Sequence, residues 1–135
     1  MVEIKNLYTS ELNLKAIKKV YTGSNWDWLS SDAEMLESFK NSYSLYGGYI
    51  EDELVCFART ISDGKIYGLV VDVLVLPDHR NQGYAKKLID HLTKDMKSQG
   101  VKVLQLLASK EGKQLYSKVG FSICPEQSPG MIKFL

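Results

Sequence analysis

Cysteine, proline and long apolar runs are all scarce in this chain. It has two cysteines and three prolines among 135 residues, and no apolar run approaches the roughly 20 residues that a membrane-spanning helix needs. Cys56 and Cys124 do not form a Cys-x-x-Cys pair, and the two histidines do not form a cluster with them. We therefore expect no membrane segment, no disulfide framework and no metal site.

An excess of one charge is also lacking, because 17 basic residues are balanced by 16 acidic ones. The net charge of +1 offers no general attraction to nucleic acid, and none of the usual nucleic-acid-binding motifs is present. Residues 1–75 carry 7 basic and 11 acidic residues, whereas residues 76–135 carry 10 basic and 5 acidic ones. The first half could favour a cationic ligand and the second an anion, although chance gives the same asymmetry in a short chain.

Length and composition predict a single domain over residues 1–135. The chain is 44% hydrophobic and 24% charged, as in ordinary globular proteins, and no linker or repeat divides it. Its first residues include Glu3 and Lys5 and lack the apolar stretch of a signal peptide. Two isolated cysteines suit a reducing compartment, so we expect a cytoplasmic protein.

Hydrophobic periodicity predicts the element order αα-βββ-α-β-α-ββ. The first third has helical spacing, and Ser31 with Glu34 forms a capping box at the start of the second helix. Asp63-Gly64 is a hairpin signal, and an apolar stripe after Pro77 marks the longest helix. Predicted strands cover residues 46–50, 54–61, 66–76, 101–108, 121–124 and 131–134, and a short helix covers 110–118. This order is typical of an α/β sheet with helices packed on it.

The turn between the third strand and the longest helix has the features of an anion site. The first turn of a helix has unpaired N–H groups and partial positive charge. Gly83 lets the backbone approach a phosphate, and the small side chain of Ala85 projects little from the next turn. Positive charge comes from Arg80, Lys86 and Lys87. The glycine spacing fits neither a Rossmann loop nor a P-loop. An ordinary basic turn between strand and helix is the alternative.

Two motifs carry a resemblance to a known family. Residues 75–85, Val-Leu-Pro-Asp-His-Arg-Asn-Gln-Gly-Tyr-Ala, resemble the acetyl-CoA signature V-x-P-x-x-[RQ]-x-x-G-x-[GA] of the GNAT superfamily of N-acetyltransferases. Tyr116 stands four residues before Gly120-Phe121, which is similar to the partner signature of that family. The resemblance covers nearly the whole chain and is strongest over residues 66–121. The tail at 130–133 also resembles that of a small bacterial subgroup.

The resemblance implies a GNAT fold, with a mixed and mostly antiparallel sheet flanked by helices, and a set of acetyl-CoA-binding residues. Backbone groups of the strand end would pair with the pantetheine arm, and the turn would hold the pyrophosphate through its amides. Tyr116 would protonate the departing thiolate, a role that a positioned phenol can fill; a plain core residue is the alternative. The implied binding residues are Leu74, Val75, Leu76, Arg80, Asn81, Gln82, Gly83, Tyr84, Ala85 and Lys86.

The general base is not identified by the resemblance. Relatives carry Glu or His on the central strand at positions that correspond to Leu69, Val71 and Val73, which are apolar here. Asp72 is the only acid on that strand, but strand alternation turns it to the other face unless a bulge intervenes. Asp72 is therefore a tentative catalytic residue, and a structural acid, an ordered water or a carboxylate of the substrate are the alternatives.

The function that these observations predict is direct transfer of acetyl from acetyl-CoA to a primary amine of a small molecule. A protein or peptide N-acetyltransferase and a non-catalytic CoA-binding regulatory protein are the alternatives, and a homodimer is possible. Four aromatic side chains of the first half could line the acceptor pocket or pack between helix and sheet: Trp26, Trp28, Tyr43 and Tyr46.

Overall fold

The computed structural model describes residues 1–22 and 31–135. One five-stranded sheet has the order β1-β2-β3-β4-β5, in which β1 to β4 pair antiparallel and β5 lies parallel to β4. The strands are β1 (Glu3–Leu7), β2 (Ser44–Ile50), β3 (Glu53–Ser62), β4 (Tyr67–Val75) and β5 (Val103–Gln105). The helices are α1 (Leu14–Tyr21), α2 (Asp32–Lys40), α3 (Tyr84–Ser98) and α4 (Lys113–Lys118), with 3-10 turns at Thr9–Glu11 and Pro77–His79. The α/β class and the mixed, mostly antiparallel sheet are confirmed.

Local sequence signals explain where several elements begin and turn. The predicted capping box at α2 is present, since the Ser31 hydroxyl accepts from the Glu34 amide and the Glu34 carboxylate accepts from the Ser31 amide. In the turn between β3 and β4, Asp63 Oδ1 accepts the backbone N–H groups of three following residues. Gly64 adopts a φ of 75° there, as the hairpin signal requires.

The helices cover both faces of the sheet. On one face, the rings of Tyr21, Phe39 and Phe57 pack with centroids 5.5–6.0 Å apart, which joins α1 and α2 to β3. On the other face, α3 buries its predicted stripe of Leu88, Ile89, Leu92 and Met96. Because β3 is covered on both sides, Leu54 to Ala58 are all buried.

The two ends of the chain differ from the prediction. The first third was expected to be helical, but β1 precedes α1 and pairs with β2 from Glu3 opposite Tyr49 to Leu7 opposite Leu45. β5 covers residues 103–105 where a strand over 101–108 was expected, and the segments 121–124 and 131–134 are not strands. Ile123 is 72% exposed and Met131 90% exposed. A strand needs a neighbouring strand to pair with and a hydrophobic face to pack against. A run of apolar residues in the sequence does not show whether either is present.

None of the helices in residues 1–22 and 31–135 is both long and apolar enough to cross a membrane.

Candidate functional site

Strand β4 continues beyond the point where β5 stops. The two strands pair from Tyr67 opposite Val103 to Leu69 opposite Gln105, whereas β4 runs on to Val75. No other strand of the described residues pairs with that edge of β4. An open strand edge presents backbone N–H and C=O groups that an extended ligand can pair with. We call this edge of β4, after Leu69, the groove edge.

The ladder between β3 and β4 decides which backbone groups face the groove edge. The Leu76 N–H donates to the Val55 carbonyl at 2.8 Å, so the backbone groups of Leu76, and of Leu74 two residues earlier, point towards β3. In an antiparallel ladder the groups of the residue between them point the opposite way. Of the three strand residues predicted to bind the cofactor, Val75 is therefore the one that presents its N–H and C=O to the groove edge. Its carbonyl accepts from Arg80 Nε at 3.1 Å.

The turn that follows β4 leads directly into the N-terminus of α3. Asn81 and Gly83 both adopt left-handed backbone conformations, with φ values of 61° and 80°. The first helical hydrogen bond runs from the Lys87 N–H to the Gly83 carbonyl, so the three preceding amides have no partner within the helix. No side chain of the described residues caps this end. The arrangement suits an anion, because free amides and the helix dipole meet there.

Space and charge around this turn also suit an anion. A β-carbon built on Gly83 would meet no described atom within 4 Å apart from its chain neighbours, so a ligand has room to approach the backbone. Arg80 and Lys86 are exposed. Lys86 Nζ lies 2.8 Å from Asp90 Oδ2 one turn along the helix, and this pairing offsets part of its charge. The Tyr84 hydroxyl donates to the Gln82 side chain at 3.0 Å, which ties two predicted site residues together.

Tyr116 lies on α4 with its ring half-buried against Phe121. The ring centroids are 5.9 Å apart in an edge-to-face arrangement. Burial raises the pKa of the Tyr116 hydroxyl above its usual value of 10.0, so the phenol is protonated and able to donate at neutral pH. Sequence reasoning missed Gly112, where a β-carbon would lie 3.0 Å from Tyr116 Cε2. A larger residue there would push against the ring.

Asp72 lies in a β-bulge of β4. The bulge interrupts the strand alternation, so the Asp72 side chain reaches the face of the sheet that carries Arg59 instead of the opposite face. Phe57 is opposite Leu74 and Arg59 is opposite Val71, so Asp72 and Val73 together oppose a single residue of β3. Asp72 has a φ of 55°. Its Oδ2 accepts from the Tyr21 hydroxyl at 2.7 Å and from Arg59 Nε at 2.6 Å.

Sequence reasoning did not single out Tyr21 or Arg59 as partners of Asp72. Arg59 is the only charged residue in the run from Leu54 to Ile61, whose other members are apolar except Thr60. Its side chain is 18% exposed and that of Asp72 is 15% exposed. A lone charge within a buried strand needs an opposite charge nearby, and that signal could have indicated the ion pair.

The proposed acceptor aromatics are not all placed alike. Trp26 and Trp28 lie outside the described residues. Tyr46 is fully buried and its hydroxyl donates to Asp95 on α3 at 2.6 Å, which makes it a core residue between helix and sheet. Tyr43 is 37% exposed, and its hydroxyl donates to Gln99 at 2.8 Å.

Comparison with known proteins gives a family for this arrangement. Residues 3–121 match the model described as "Acetyltransferase (GNAT) family". The GCN5-related N-acetyltransferase 2, chloroplastic, of Arabidopsis thaliana is 30% identical over 101 residues, which are 72% of this chain and 39% of the relative. The serotonin N-acetyltransferase 2, chloroplastic, of Oryza sativa subsp. japonica is 31% identical over 77 residues, which are 57% of this chain and 38% of the relative. The chain thus spans about two-fifths of the length of these plant relatives.

Solved structures agree with the fold. A structure from Staphylococcus aureus described as a probable acetyltransferase superposes with a TM-score of 0.84 at 23% identity, and covers 99% of this chain and 100% of that one. A structure from Xanthomonas campestris pv. campestris assigned to the GNAT family has a TM-score of 0.79 at 28% identity, and covers 100% of this chain and 94% of that one.

Proposed function

The chain belongs to the GNAT acetyltransferase family, and we propose that it transfers an acetyl group from acetyl-CoA to a primary amine of a small molecule. The observation that carries this proposal is the groove edge of β4 running directly into the uncapped N-terminus of α3. One end can pair with an extended arm that has amide groups, and the other can hold an anion. Acetyl-CoA has both features in one molecule.

The residues of the groove and turn fit such a ligand. Val75 presents one N–H and one C=O to the groove edge, which suits the amides of a pantetheine arm. The amides of Tyr84, Ala85 and Lys86 and the space in front of Gly83 suit a pyrophosphate. Arg80, Asn81 and Gln82 belong to the same turn, and their contacts with the pyrophosphate, mainly through backbone amides, remain predictions.

The chemistry needs no covalent enzyme intermediate. The amine nitrogen would attack the thioester carbonyl carbon, a C–N bond would form, and the C–S bond would break. Tyr116 would give its phenolic proton to the departing sulfur and regain one from solvent. An acceptor that is an ammonium ion at neutral pH would first lose one proton to solvent, which frees the nitrogen lone pair, and the nitrogen would release a second proton to solvent once the C–N bond has formed. A protonated phenol is suited to this step, because it acts only as negative charge develops on sulfur.

The acceptor that we propose is a small primary amine that is cationic at neutral pH. Support comes from the first 75 residues, which carry a net charge of −4, and from the rice relative, which is named for a small amine. Cytoplasmic location and homodimer formation stay predictions of the sequence.

A turnover screen tests this proposal. Purified protein is incubated with acetyl-CoA and separate panels of small amines, amino acids and peptides, and free thiol is measured. We expect thiol release with small cationic amines. Release with peptides alone would assign the chain to protein acetylation, and acetyl-CoA binding without release for any acceptor would favour a regulatory CoA-binding protein.

A further inference from the structure

Tyr21, Asp72 and Arg59 form one hydrogen-bonded unit, which we call the bulge clamp. It joins α1, β3 and β4 through a single carboxylate oxygen, Asp72 Oδ2. Arg59 Nη1 also donates to the Ser42 hydroxyl at 3.1 Å, and the Arg59 guanidinium lies 5.7 Å from the centre of the Phe39 ring. Burial, and then the Asp72 charge, raises the pKa of the Tyr21 hydroxyl well above its usual value of 10.0. Tyr21 therefore remains a donor to Asp72.

The bulge clamp lies at the point in β4 where the alternation of side chains between the two faces shifts by one residue. Before the bulge, Val71 is opposite Arg59 and so shares its face; after it, Leu74 is opposite Phe57 and shares the same face. Residues 71 and 74 could not face the same way in a regular strand, because alternate side chains point to opposite faces. The extra residue therefore also reverses which backbone groups point towards the groove edge. With the bulge, Val75 presents its N–H and C=O to the groove edge. If β4 continued beyond Val71 without a bulge, Leu74 would present its groups there instead.

The bulge is held by contacts that lie outside the groove. Asp72 adopts a left-handed conformation that non-glycine residues rarely take, and aspartate tolerates it better than most residues. Such a conformation persists only where the surroundings fix it. Tyr21 and Arg59 supply that fixation from two other elements.

We propose that the bulge clamp determines which residues of β4 present their backbone N–H and C=O groups at the groove edge. Asp72 is then a positioning residue for the cofactor and not the general base. The proposal rests on the proposed function, because the groove edge is assigned there to the pantetheine arm. Asp72 Oδ2 already accepts hydrogen bonds from a guanidinium on β3 and a phenol on α1, and these contacts give its side chain a role in holding the bulge.

Replacements of Asp72 separate the two roles. Asp72→Asn keeps an acceptor oxygen and a residue that tolerates the left-handed conformation, whereas Asp72→Ala keeps neither. We expect Asp72→Asn to keep kcat within about tenfold of wild type with an unchanged pH–rate profile, and Asp72→Ala to raise the acetyl-CoA Kd by about tenfold or more. A loss of kcat of about 10² or more in Asp72→Asn, with Kd unchanged and the acidic limb of the profile gone, would instead identify Asp72 as the base.

A matched pair of tyrosine variants tests the clamp if Asp72→Ala does not fold. Tyr21 and Tyr46 are both buried and both donate to an aspartate, at 2.7 and 2.6 Å, but Tyr21 donates to the bulge residue Asp72 whereas Tyr46 donates to Asp95 on α3. We expect Tyr21→Phe to raise the acetyl-CoA Kd and Tyr46→Phe to lower thermal stability alone. Equal Kd values in the two variants would overturn the clamp.

Acetyl-CoA binding by the wild type is measured first, by calorimetric titration. A wild type that binds no acetyl-CoA would overturn the proposed function and the clamp together. Wild-type binding with no difference among the clamp variants would overturn the clamp alone.

Discussion

Arg80 Nε lies 3.1 Å from the carbonyl oxygen of Val75 and donates a hydrogen bond to it. A side chain of the turn between β4 and α3 thus occupies the Val75 carbonyl, the acceptor that we propose for a pantetheine arm. An arm bound in this way would take the Val75 carbonyl and release the guanidinium towards the phosphates. Under this proposal, Arg80 would have two effects on binding that partly cancel.

Replacement of Arg80 should weaken acetyl-CoA binding only modestly. Arg80→Ala removes a positive charge but also frees the Val75 carbonyl, and the donors of the turn are mainly backbone amides. We expect the Kd to rise by less than about tenfold, and the dependence of Kd on salt to become weaker. Calorimetric titrations at two salt concentrations measure both. A complete loss of binding in a folded variant would show that the side chain and not the backbone holds the phosphates.

Replacement of Gly83 should be more damaging to binding than replacement of Arg80. A valine there brings a β-branched side chain into the space before the turn and strains a φ of 80°. We expect Gly83→Val to raise the acetyl-CoA Kd by well over about tenfold.

Gly100 offers the matched control for Gly83. It lies just after α3 at the other end, has a φ of 91°, and likewise has open space where a β-carbon would stand. Gly83→Ala and Gly100→Ala should lose similar thermal stability, since both force alanine into the left-handed region. Only Gly83→Ala should weaken acetyl-CoA binding. Equal affinities in the two alanine variants would argue against the turn as the phosphate site.

Tyr116→Phe should lower kcat with little change in acetyl-CoA affinity. It removes the hydroxyl but keeps the ring that packs on Phe121. We expect a loss of about 10²-fold, the low end for general acid catalysis, because a thiolate is already a tolerable leaving group. Steady-state kinetics beside a binding titration separate the two effects. A wild-type kcat would make Tyr116 a core residue, and lost binding would make its hydroxyl a cofactor contact.

The pH dependence of the Tyr116 step follows from its burial. The pKa is raised above 10.0, so the donor form persists to higher pH than for an exposed tyrosine. We expect no loss of kcat attributable to this residue between pH 7 and about 10. A falling limb in that range that disappears in Tyr116→Phe would show that the hydroxyl titrates below 10.0, and would contradict the raised pKa.

Salt should erode a preference for cationic acceptors. If the acidic first half of the chain faces the amine, cationic acceptors have the lower KM at low salt, and screening raises that KM as salt is added. A neutral acceptor of similar size is the control, since its KM should not move. A preference for neutral or acidic acceptors at every salt concentration would refute the charge argument while leaving the family unaffected.

Asp63 should contribute to stability only above its folded-state pKa. Its three backbone hydrogen bonds lower the pKa of the carboxyl below its usual 3.8. The contribution is therefore complete above pH 3.8 and is lost as the pH falls through the lower folded value. Asp63→Asn should lower the Tm at neutral pH, with the difference from wild type shrinking in acid. A constant difference down to pH 2 would contradict this origin.

Local features of this protein were determined by the sequence alone. The capping box of Ser31 and Glu34, the Asp63-Gly64 turn and the buried stripe of α3 depend on residues a few positions apart, whose geometry is fixed by the backbone. The turn from Arg80 to Lys86 was likewise predictable, because a strand, a glycine and a helix start define it.

Tertiary structure decided the features that depend on distant partners. The Tyr21 and Asp72 side chains meet across 51 residues of chain, and the bulge that brings them together is visible only in the register of β3 against β4. The strand β1 and the absence of strands at 121–124 and 131–134 are seen only in the pairing of the folded sheet. Strand alternation in the sequence placed Asp72 on one face, and one extra residue in β4 placed it on the other, because a bulge shifts the period of two by one.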